Sequence, residues 1–378
     1  MKKRNPFKLH RLSDRTLIKV LCAVAAFAVI SVGIYKLTEH FPGFVTKYYS
    51  NGLYNIITYP GKLLASLFPF SVGEILLLAL ILFFVCLLVI SIIKTISNLI
   101  KKKRRPLLPL LRFTMGLLTV AMCALILFIW CGGLNYNAYT VAGKENMEIG
   151  EHTPRELYEL TVYLINNANA VRVQLEEGSD GSVTDSRSFS ELCETAQKGF
   201  RSIEGSYGMA EGYFTKAKPG ILSLWMCYTN ITGIFPYIVP EPIINTMTPD
   251  SSLHATVCHE MAHQRAIARE DEANFISFIA CMNTGDAYFM YSGYYLATVQ
   301  CLNALYSVNY QLWTEAWQHM SEGMRTDISA ASAFWKQFET PVAEISDSVN
   351  DIYLQANNIE DGVASYGRLV DLLLAYYD

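Results

Sequence analysis

Residues 259–274 read His-Glu-Met-Ala-His-Gln-Arg-Ala-Ile-Ala-Arg-Glu-Asp-Glu-Ala-Asn, and this stretch decides the fold of the region around it. On an α-helix His259 and His263 share one face, so both imidazoles can bind one ion, while Glu260 lies about 100° around the axis. A catalytic zinc ion has three protein ligands and a water, whose pKa it lowers toward about 7. The stretch therefore predicts one zinc ion per chain, with Glu260 as general base. A chance pair of histidines on a surface helix is the competing explanation.

The third zinc ligand is expected from the acidic residues that follow. Glu270 and Asn274 are four residues apart and share a helix face, so Glu270 can bind the metal while the Asn274 amide orients a ligand histidine. Glu272 is the alternative ligand. If it does not bind the metal, we expect it to face solvent or a basic neighbour such as Arg265.

The same stretch cannot form one straight helix if these ligands share an ion. A straight helix would place Glu270 about 10 Å along the axis from His263. A break within residues 266–269 is therefore required. The apolar pattern accordingly predicts two helices, over residues 251–268 and 270–283.

Peptide-bond hydrolysis also needs a donor to the oxyanion that develops in the transition state. Tyr294, Tyr366 and Arg368 are the candidates. Each has a structural explanation as well, since a tyrosine in an aromatic run usually packs in a core and Arg368 can pair with Asp371. By its position alone, segment 240–245 is a candidate edge strand for an extended peptide substrate.

Three stretches near the N-terminus are long and apolar enough to cross a membrane. The chain is 52% apolar and only 17% charged, which is unusual for a soluble protein. A helix of about 20 residues crosses a hydrocarbon core of about 30 Å. The stretches that meet this length are residues 17–37, 75–93 and 113–130.

The basic residues predict how this anchor is oriented. Cytoplasmic loops carry an excess of Lys and Arg, and such residues precede the first span and fill residues 101–105. We therefore predict a multi-pass protein of the cytoplasmic membrane with its N-terminus inside. Its parts are a basic tail over residues 1–16, a three-helix anchor over 17–134 and an extracytoplasmic domain over 135–378.

Two further segments are apolar without being predicted spans. Residues 48–70 mix aromatic residues, Gly and Pro, and the sequence leaves open whether they lie on the bilayer surface or cover the active site. Residues 220–240 contain Thr229, Asn230 and Pro236, which would leave polar groups in lipid and break a helix. We expect short buried strands or an interfacial segment there.

The remaining composition narrows the class of protein. A net charge of −4 gives no basis for a nucleic-acid partner, so the expected partners are the lipid bilayer and a peptide or protein substrate. The nine cysteines form no CxxC pair and are expected to be free.

The extracytoplasmic domain is predicted to be mainly helical, with a helix starting at Thr153 and Pro154, a small sheet between Met209 and Asn245, and a last helix over residues 361–377.

Residues 259–274 resemble the signature of a bacterial family catalogued as domain of unknown function 3810, in which several membrane spans precede an HExxH domain. Segments 233–236, 291–294 and 365–368 extend the resemblance over most of the chain, although the family usually has Gly where this sequence has Ala266. The pairing of HExxH with ExxAN is similar to that of gluzincin peptidases, which implies Glu270 as third ligand. The fold expected is mainly α: three transmembrane helices followed by a mostly helical (α+β) gluzincin-like metallopeptidase domain.

The sequence is compatible with three functions. The leading hypothesis is a membrane-anchored zinc peptidase that cleaves a secreted peptide, an envelope protein or a membrane protein near the bilayer. The second is a sensor or scaffold with a structural or vestigial zinc site, and the third is metal-dependent hydrolysis of a cell-wall or lipid bond. A purely structural site has no need for Glu260, which favours the first. The oligomeric state is left open.

Overall fold

A computed structural model describes residues 14–357 and 368–377 of the chain. Within them the chain divides into two compact units. The first contains the residues up to Leu37 together with Ile75–Trp130, and the second contains Thr38–Glu74 and the residues from Cys131 onward.

The structure is mainly helical, as predicted. In chain order the helices are α1 Asp14–Thr38, α2 Pro42–Phe44, α3 Tyr54–Ser66, α4 Val72–Ile100, α5 Leu108–Cys131, α6 Val141–Glu145, α7 Pro154–Arg172, α8 Phe189–Ser202, α9 Ser223–Tyr228, α10 Asp250–His263, α11 Glu270–Met282, α12 Ala287–Val308, α13 Tyr310–Gln318, α14 Glu322–Lys336, α15 Pro341–Ala356 and α16 Leu369–Tyr377.

The first unit consists of the three apolar helices. Among the described residues, α1, α4 and α5 are the helices long and apolar enough to cross a membrane, and the three predicted spans lie within them. A hydrogen bond from the Trp130 indole to Ser31 Oγ, 3.0 Å long, joins α1 to α5. Large apolar side chains such as Val29 and Leu82 are 72% and 64% exposed, because these helices bury little of their surface in the protein. Such surfaces are suited to lipid.

The second unit is built around α10, α11 and α12. Val257, Met261, Phe275, Phe278 and Phe289 are fully buried in one continuous apolar core. Polar contacts fix the three helices against one another: Ser292 Oγ of α12 accepts a hydrogen bond from Ala255 N of α10, and Ser277 Oγ of α11 donates to Ala255 O. Helix α7 also packs against α12.

Side chains cap the first turns of two helices in the second unit, α7 and α8. Helix α7 begins with Thr153 as the capping residue and Pro154 at its first position, as expected. Thr153 and Glu156 bind each other's backbone N–H groups, and Ser188 and Glu191 do the same at the start of α8. Each cap pairs N–H groups that a helix start leaves without partners.

A small sheet lies between Met209 and Asn245, as predicted. Its strands are β1 Lys218–Pro219, β2 Gly233–Ile234 and β3 Ile243–Ile244, in the order β1-β3-β2, with β1 parallel and β2 antiparallel to β3. The prediction that segment 240–245 forms an edge strand is wrong, because β3 has a partner on each side. Strands β1 and β2 are at the two edges instead.

The two additional apolar segments both belong to the second unit. Residues 220–240 form α9 and β2 and are not among the candidate spans of the described chain. The buried strands expected there are only partly found, because β2 is half exposed and Trp225 of α9 is 67% exposed. Residues 48–70 form α3 and part of a π-helical segment, Val45–Leu53.

All nine cysteines lie in the described part of the chain and are free, as predicted.

Candidate metal centre

The ends of α10 and α11 bring three potential metal ligands together. The Nε2 atoms of His259 and His263 are 3.0 Å apart. Glu270 places one carboxylate oxygen 3.1 Å from Nε2 of His259 and the other 3.6 Å from Nε2 of His263. The three side chains are only 7–16% exposed, so the cluster is sheltered but accessible from outside.

The chain breaks between the two helices, as the sequence required. Helix α10 ends at His263, and Ala266 has a φ of +68°. This left-handed conformation costs an L-residue about 1–2 kcal/mol, which explains why glycine is the usual residue at such positions. Arg269 is extended and Glu270 begins α11. The reversal brings Glu270 back to the histidines instead of about 10 Å away.

Hydrogen bonds on the far side of each imidazole orient the rings. The Nδ1–H of His259 donates to Asn274 Oδ1 at 2.8 Å, and the Nδ1–H of His263 donates to the carbonyl oxygen of Ile267 at 2.7 Å. Each ring then presents the lone pair of its Nε2 to the cluster. Asn274 therefore contacts His259 as the helix spacing predicted.

The donor set fits a small divalent cation. Zinc–ligand bonds of about 2.0–2.1 Å in a tetrahedral arrangement separate neighbouring ligand atoms by roughly 3.3 Å, close to the 3.0, 3.1 and 3.6 Å measured between these atoms. Two imidazole nitrogens and a carboxylate are ligands that suit zinc. Two facing Nε2 lone pairs repel each other unless a cation or a proton lies between them.

Charge coupling inside the cluster supports the same conclusion. Burial alone lowers the pKa of His263, but the Glu270 carboxylate raises it to about 9. Burial raises the pKa of Glu270, yet His263 and His259 hold it well below its usual range. The carboxylate and the imidazoles thus stabilise a positive charge at their centre, which a metal ion supplies when it binds.

Glu260 lies beside the ligands with an unsatisfied carboxylate oxygen. Its side chain is buried, and Oε2 has no hydrogen-bond partner among the described residues. Burial raises the pKa of Glu260 to about 7. The backbone of Gly233 in β2 approaches it so closely that a Cβ there would lie 2.6 Å from Glu260 Cγ. Only glycine permits this contact, so β2 fixes the position of the carboxylate.

Three tyrosines that the sequence did not single out lie near Glu270. The hydroxyls of Tyr136 and Tyr353 are 3.1 Å apart, and Tyr237 hydrogen-bonds to Tyr136. Burial raises the pKa of all three, that of Tyr353 to about 12, and the Glu270 carboxylate adds to the rise. They therefore remain protonated donors. They come from three separate segments of the chain, so no local pattern could have identified them.

The two predicted oxyanion donors that the structure describes, Tyr294 and Arg368, are not among the residues that it groups at the cluster. Tyr294 packs edge-on against Phe278, because its side of α12 faces α11. Arg368 is exposed and partly offsets the rise that burial causes in the pKa of Asp371. Tyr366 lies outside the described residues.

The alternative ligand, Glu272, lies away from the cluster. It is buried, accepts a hydrogen bond from Val141 N at 2.9 Å and lies 3.4 Å from the Arg269 guanidinium. Glu272 thus has a basic neighbour, as expected, but this neighbour is Arg269 and not Arg265, which stacks on Phe200 and Phe214. Glu272 therefore serves packing and is not part of the metal cluster.

The fold and the cluster define a mainly helical protein with apolar N-terminal helices and a candidate metal centre. A family model described as protein of unknown function (DUF3810) matches residues 49–374, and the chain belongs to this family. Searches of curated proteins and of solved structures gave no match. The match includes every residue of the cluster.

Segments 233–236 and 291–294, which resemble the family signature, have structural roles around this centre. Gly233 makes room for Glu260. In the second segment, Ser292 binds α10, and Gly293 lets α12 approach α11, where a Cβ would lie 2.9 Å from Cys281 Cβ. These residues hold in register the helices that carry the ligands.

Proposed function

We propose that the protein is a membrane-anchored zinc peptidase of the gluzincin type, which hydrolyses peptide bonds. One observation carries this proposal: Glu260, whose buried Oε2 has no partner among the described residues, lies on the same helix as two histidines that converge with Glu270. A site that only binds metal has no need for such a carboxylate. Its position supports a catalytic role instead.

His259, His263 and Glu270 would hold the ion, with Asn274 and the Ile267 carbonyl oxygen keeping the imidazoles aligned. Bound there, zinc would supply a Lewis acid that polarises the scissile carbonyl and lowers the pKa of the attacking water. The exposure of the ligand side chains leaves a side of the cluster from which water and substrate can approach.

Glu260 would act as general base and then as general acid. Its free oxygen takes a proton from the attacking water and returns it to the leaving amine. A pKa raised by burial suits a group that must gain and lose a proton near neutral pH. The contact with Gly233 limits the movement of the carboxylate during this transfer.

The three tyrosines would stabilise the oxyanion. Tyr136, Tyr237 and Tyr353 share a hydrogen-bonded network near Glu270, and burial keeps their hydroxyls protonated. Donors that are already oriented in a buried site stabilise developing negative charge without having to reorganise. This role replaces the one that the sequence suggested for Tyr294.

The orientation of the anchor belongs to the same proposal. The basic residues at 101–105 favour a cytoplasmic α4–α5 loop, which would put the catalytic unit outside the cytoplasmic membrane. Substrates would then be secreted peptides, envelope proteins or membrane proteins near the bilayer. A sensor or scaffold with a structural zinc site is the alternative.

Hydrolysis of a quenched fluorescent peptide library by the detergent-purified full chain tests the proposal. We expect Glu260→Gln to lower the rate by about 10²–10⁴-fold while the variant retains its zinc. If a library peptide is cleaved equally well by the variant, Glu260 is not the general base. A variant that binds zinc and keeps full biological activity would favour the sensor or scaffold.

A further inference from the structure

Helix α3 buries a lysine and exposes large apolar side chains. Thr58 and Lys62 are buried, at 2% and 1% exposure. Ile56 of the same helix is 72% exposed, and Leu67, the residue just after the helix, is 67% exposed. A helix in contact with water normally buries its apolar residues and leaves Lys at the surface. The outer face of α3 is therefore suited to an apolar environment.

The buried lysine has a well-defined place inside the second unit. The Lys62 ammonium hydrogen-bonds to Asn55 Oδ1 at 3.1 Å and lies over the rings of Tyr54 and Phe214. The Tyr54 hydroxyl in turn donates to the Gln264 carbonyl oxygen, one residue after α10. The inner face of α3 thus contacts the end of α10. The large apolar residues of α3 lie on its outer face.

Two neighbouring helices also expose large apolar residues. On α9, Leu224 and Trp225 are 51% and 67% exposed, and on α15, Ile345 and Ile352 are 64% and 67% exposed. We call these four residues, together with Ile56 and Leu67, the apolar rim.

Contacts connect the elements that carry the rim. The Glu74 carboxylate, after α3 in the chain, accepts hydrogen bonds from the backbone N–H groups of Ile221 and Leu222 just before α9. Ser346 of α15 donates to the Thr229 carbonyl oxygen at the end of α9. These hydrogen bonds join α15 to α9, and α9 to the segment that follows α3, within the second unit.

The chain itself links the rim to the helices that can cross a membrane. Helix α1 ends at Thr38 and α4 begins at Val72, so α3 lies in the chain between two such helices. Leu67 is only five residues before Val72, a distance of at most about 18 Å for an extended chain. A bilayer that holds α4 therefore comes within reach of the rim.

Two elements of the second unit carry both exposed apolar residues and neighbours of the metal cluster. Strand β2 places Gly233 against Glu260, and the next residue, Ile234, is 45% exposed. Helix α15 brings Tyr353 to the tyrosine network near Glu270, and its neighbour Ile352 is part of the rim. The same elements thus provide catalytic neighbours on one side and apolar surface on the other.

We propose that the apolar rim lies in the interfacial layer of the lipid bilayer, and that the metal cluster therefore takes peptide segments held at that bilayer. The second half of this inference rests on the proposed peptidase function. A lipid bilayer is favoured over a protein partner because α3 exposes Ile56, Leu63 and Leu64 while it buries Lys62, and because the chain tethers it to apolar helices. Trp225 suits this location, since tryptophan is enriched at membrane interfaces.

Quenching of tryptophan fluorescence by lipid tests the location without using activity. The full chain is reconstituted in vesicles of equal parts phosphatidylcholine and phosphatidylglycerol, with brominated acyl chains on the phosphatidylcholine. We expect Trp225→Phe to remove roughly half of the quenchable emission, with the rest coming from Trp130 at the end of α5. The matched control is Trp313→Phe, because Trp313 packs in an aromatic cluster with Tyr310 and Trp317, and it should change the quenchable emission little.

Equal loss in the two variants, or no loss in Trp225→Phe, would overturn the rim assignment. Both variants keep the metal ligands, so their zinc content and peptide hydrolysis report separately on the proposed function. Quenching of Trp225 in a protein without peptidase activity would leave the rim in place and reject only the substrate class.

Discussion

Two buried polar clusters of the second unit differ in how their charges are balanced. In the first, Asp327 accepts hydrogen bonds from the Arg172 guanidinium, the Tyr291 hydroxyl and Val183 N. In the metal cluster, two imidazole nitrogens face each other 3.0 Å apart, and one oxygen of Glu260 finds no partner in the part of the chain that the structure describes. A buried polar network that serves stability satisfies its own groups, whereas one that serves chemistry leaves places for ligands.

Removing a charge should therefore be most damaging in the balanced cluster. Asp327→Ala leaves the Arg172 guanidinium, 3% exposed, without its buried counter-ion. We expect the free energy of unfolding to fall by about 3–5 kcal/mol, measured by thermal unfolding in detergent. Glu260→Gln is the matched comparison and should cost little, because it removes an unsatisfied buried carboxylate. Equal destabilisation by the two changes would erase the distinction between the clusters.

The tyrosine network should contribute to the rate but not to folding. Tyr353→Phe removes one donor, and we expect kcat for peptide hydrolysis to fall by about 10²-fold, with a smaller effect on KM. Tyr294→Phe should leave kcat nearly unchanged. This change keeps the aromatic ring that packs against Phe278. A larger effect from Tyr294 than from Tyr353 would return the oxyanion role to the sequence-based candidate.

Asn274 should control metal affinity by orienting His259. Asn274→Ala removes the acceptor 2.8 Å from Nδ1, and we expect zinc affinity to fall by about 10–100-fold. Asn283→Ala, at the end of the same helix, removes an amide that donates only to the Ile279 carbonyl oxygen. Competition with a zinc chelator measures both variants, and similar affinities would contradict the orienting role.

The smallest expected effect concerns the break between the ligand helices. Ala266→Gly relieves the left-handed backbone at this position and should raise the free energy of unfolding by about 1 kcal/mol. Ala273→Gly, inside α11, should lower it by about 1 kcal/mol because glycine weakens a helix interior. Thermal unfolding of both variants gives the signs, and stabilisation by neither would mean that the break carries no strain.

The local parts of this architecture could be predicted from the sequence. Helix periodicity is enough to pair His259 with His263 and Glu270 with Asn274, and the distance along a straight helix is enough to require the break near Ala266. The three apolar helices follow from length and composition. These features depend on residues close together in the chain.

The parts that could not be predicted depend on contacts between distant segments. Tyr136, Tyr237 and Tyr353 meet only after the fold has formed. The pairing of β3 on both sides depends on β1 and β2, and the burial of Glu272 depends on Val141 about 130 residues earlier in the chain. Sequence spacing carries no information on such contacts.

Elemental analysis of the detergent-purified full chain tests whether His259, His263 and Glu270 bind a metal ion. We expect near one zinc per wild-type chain and almost none in His263→Ala. His319→Ala, which changes an exposed histidine of the same unit, should keep the wild-type content. A wild-type protein that takes up no metal when zinc is added, or a His263→Ala variant that keeps its zinc, would contradict the account.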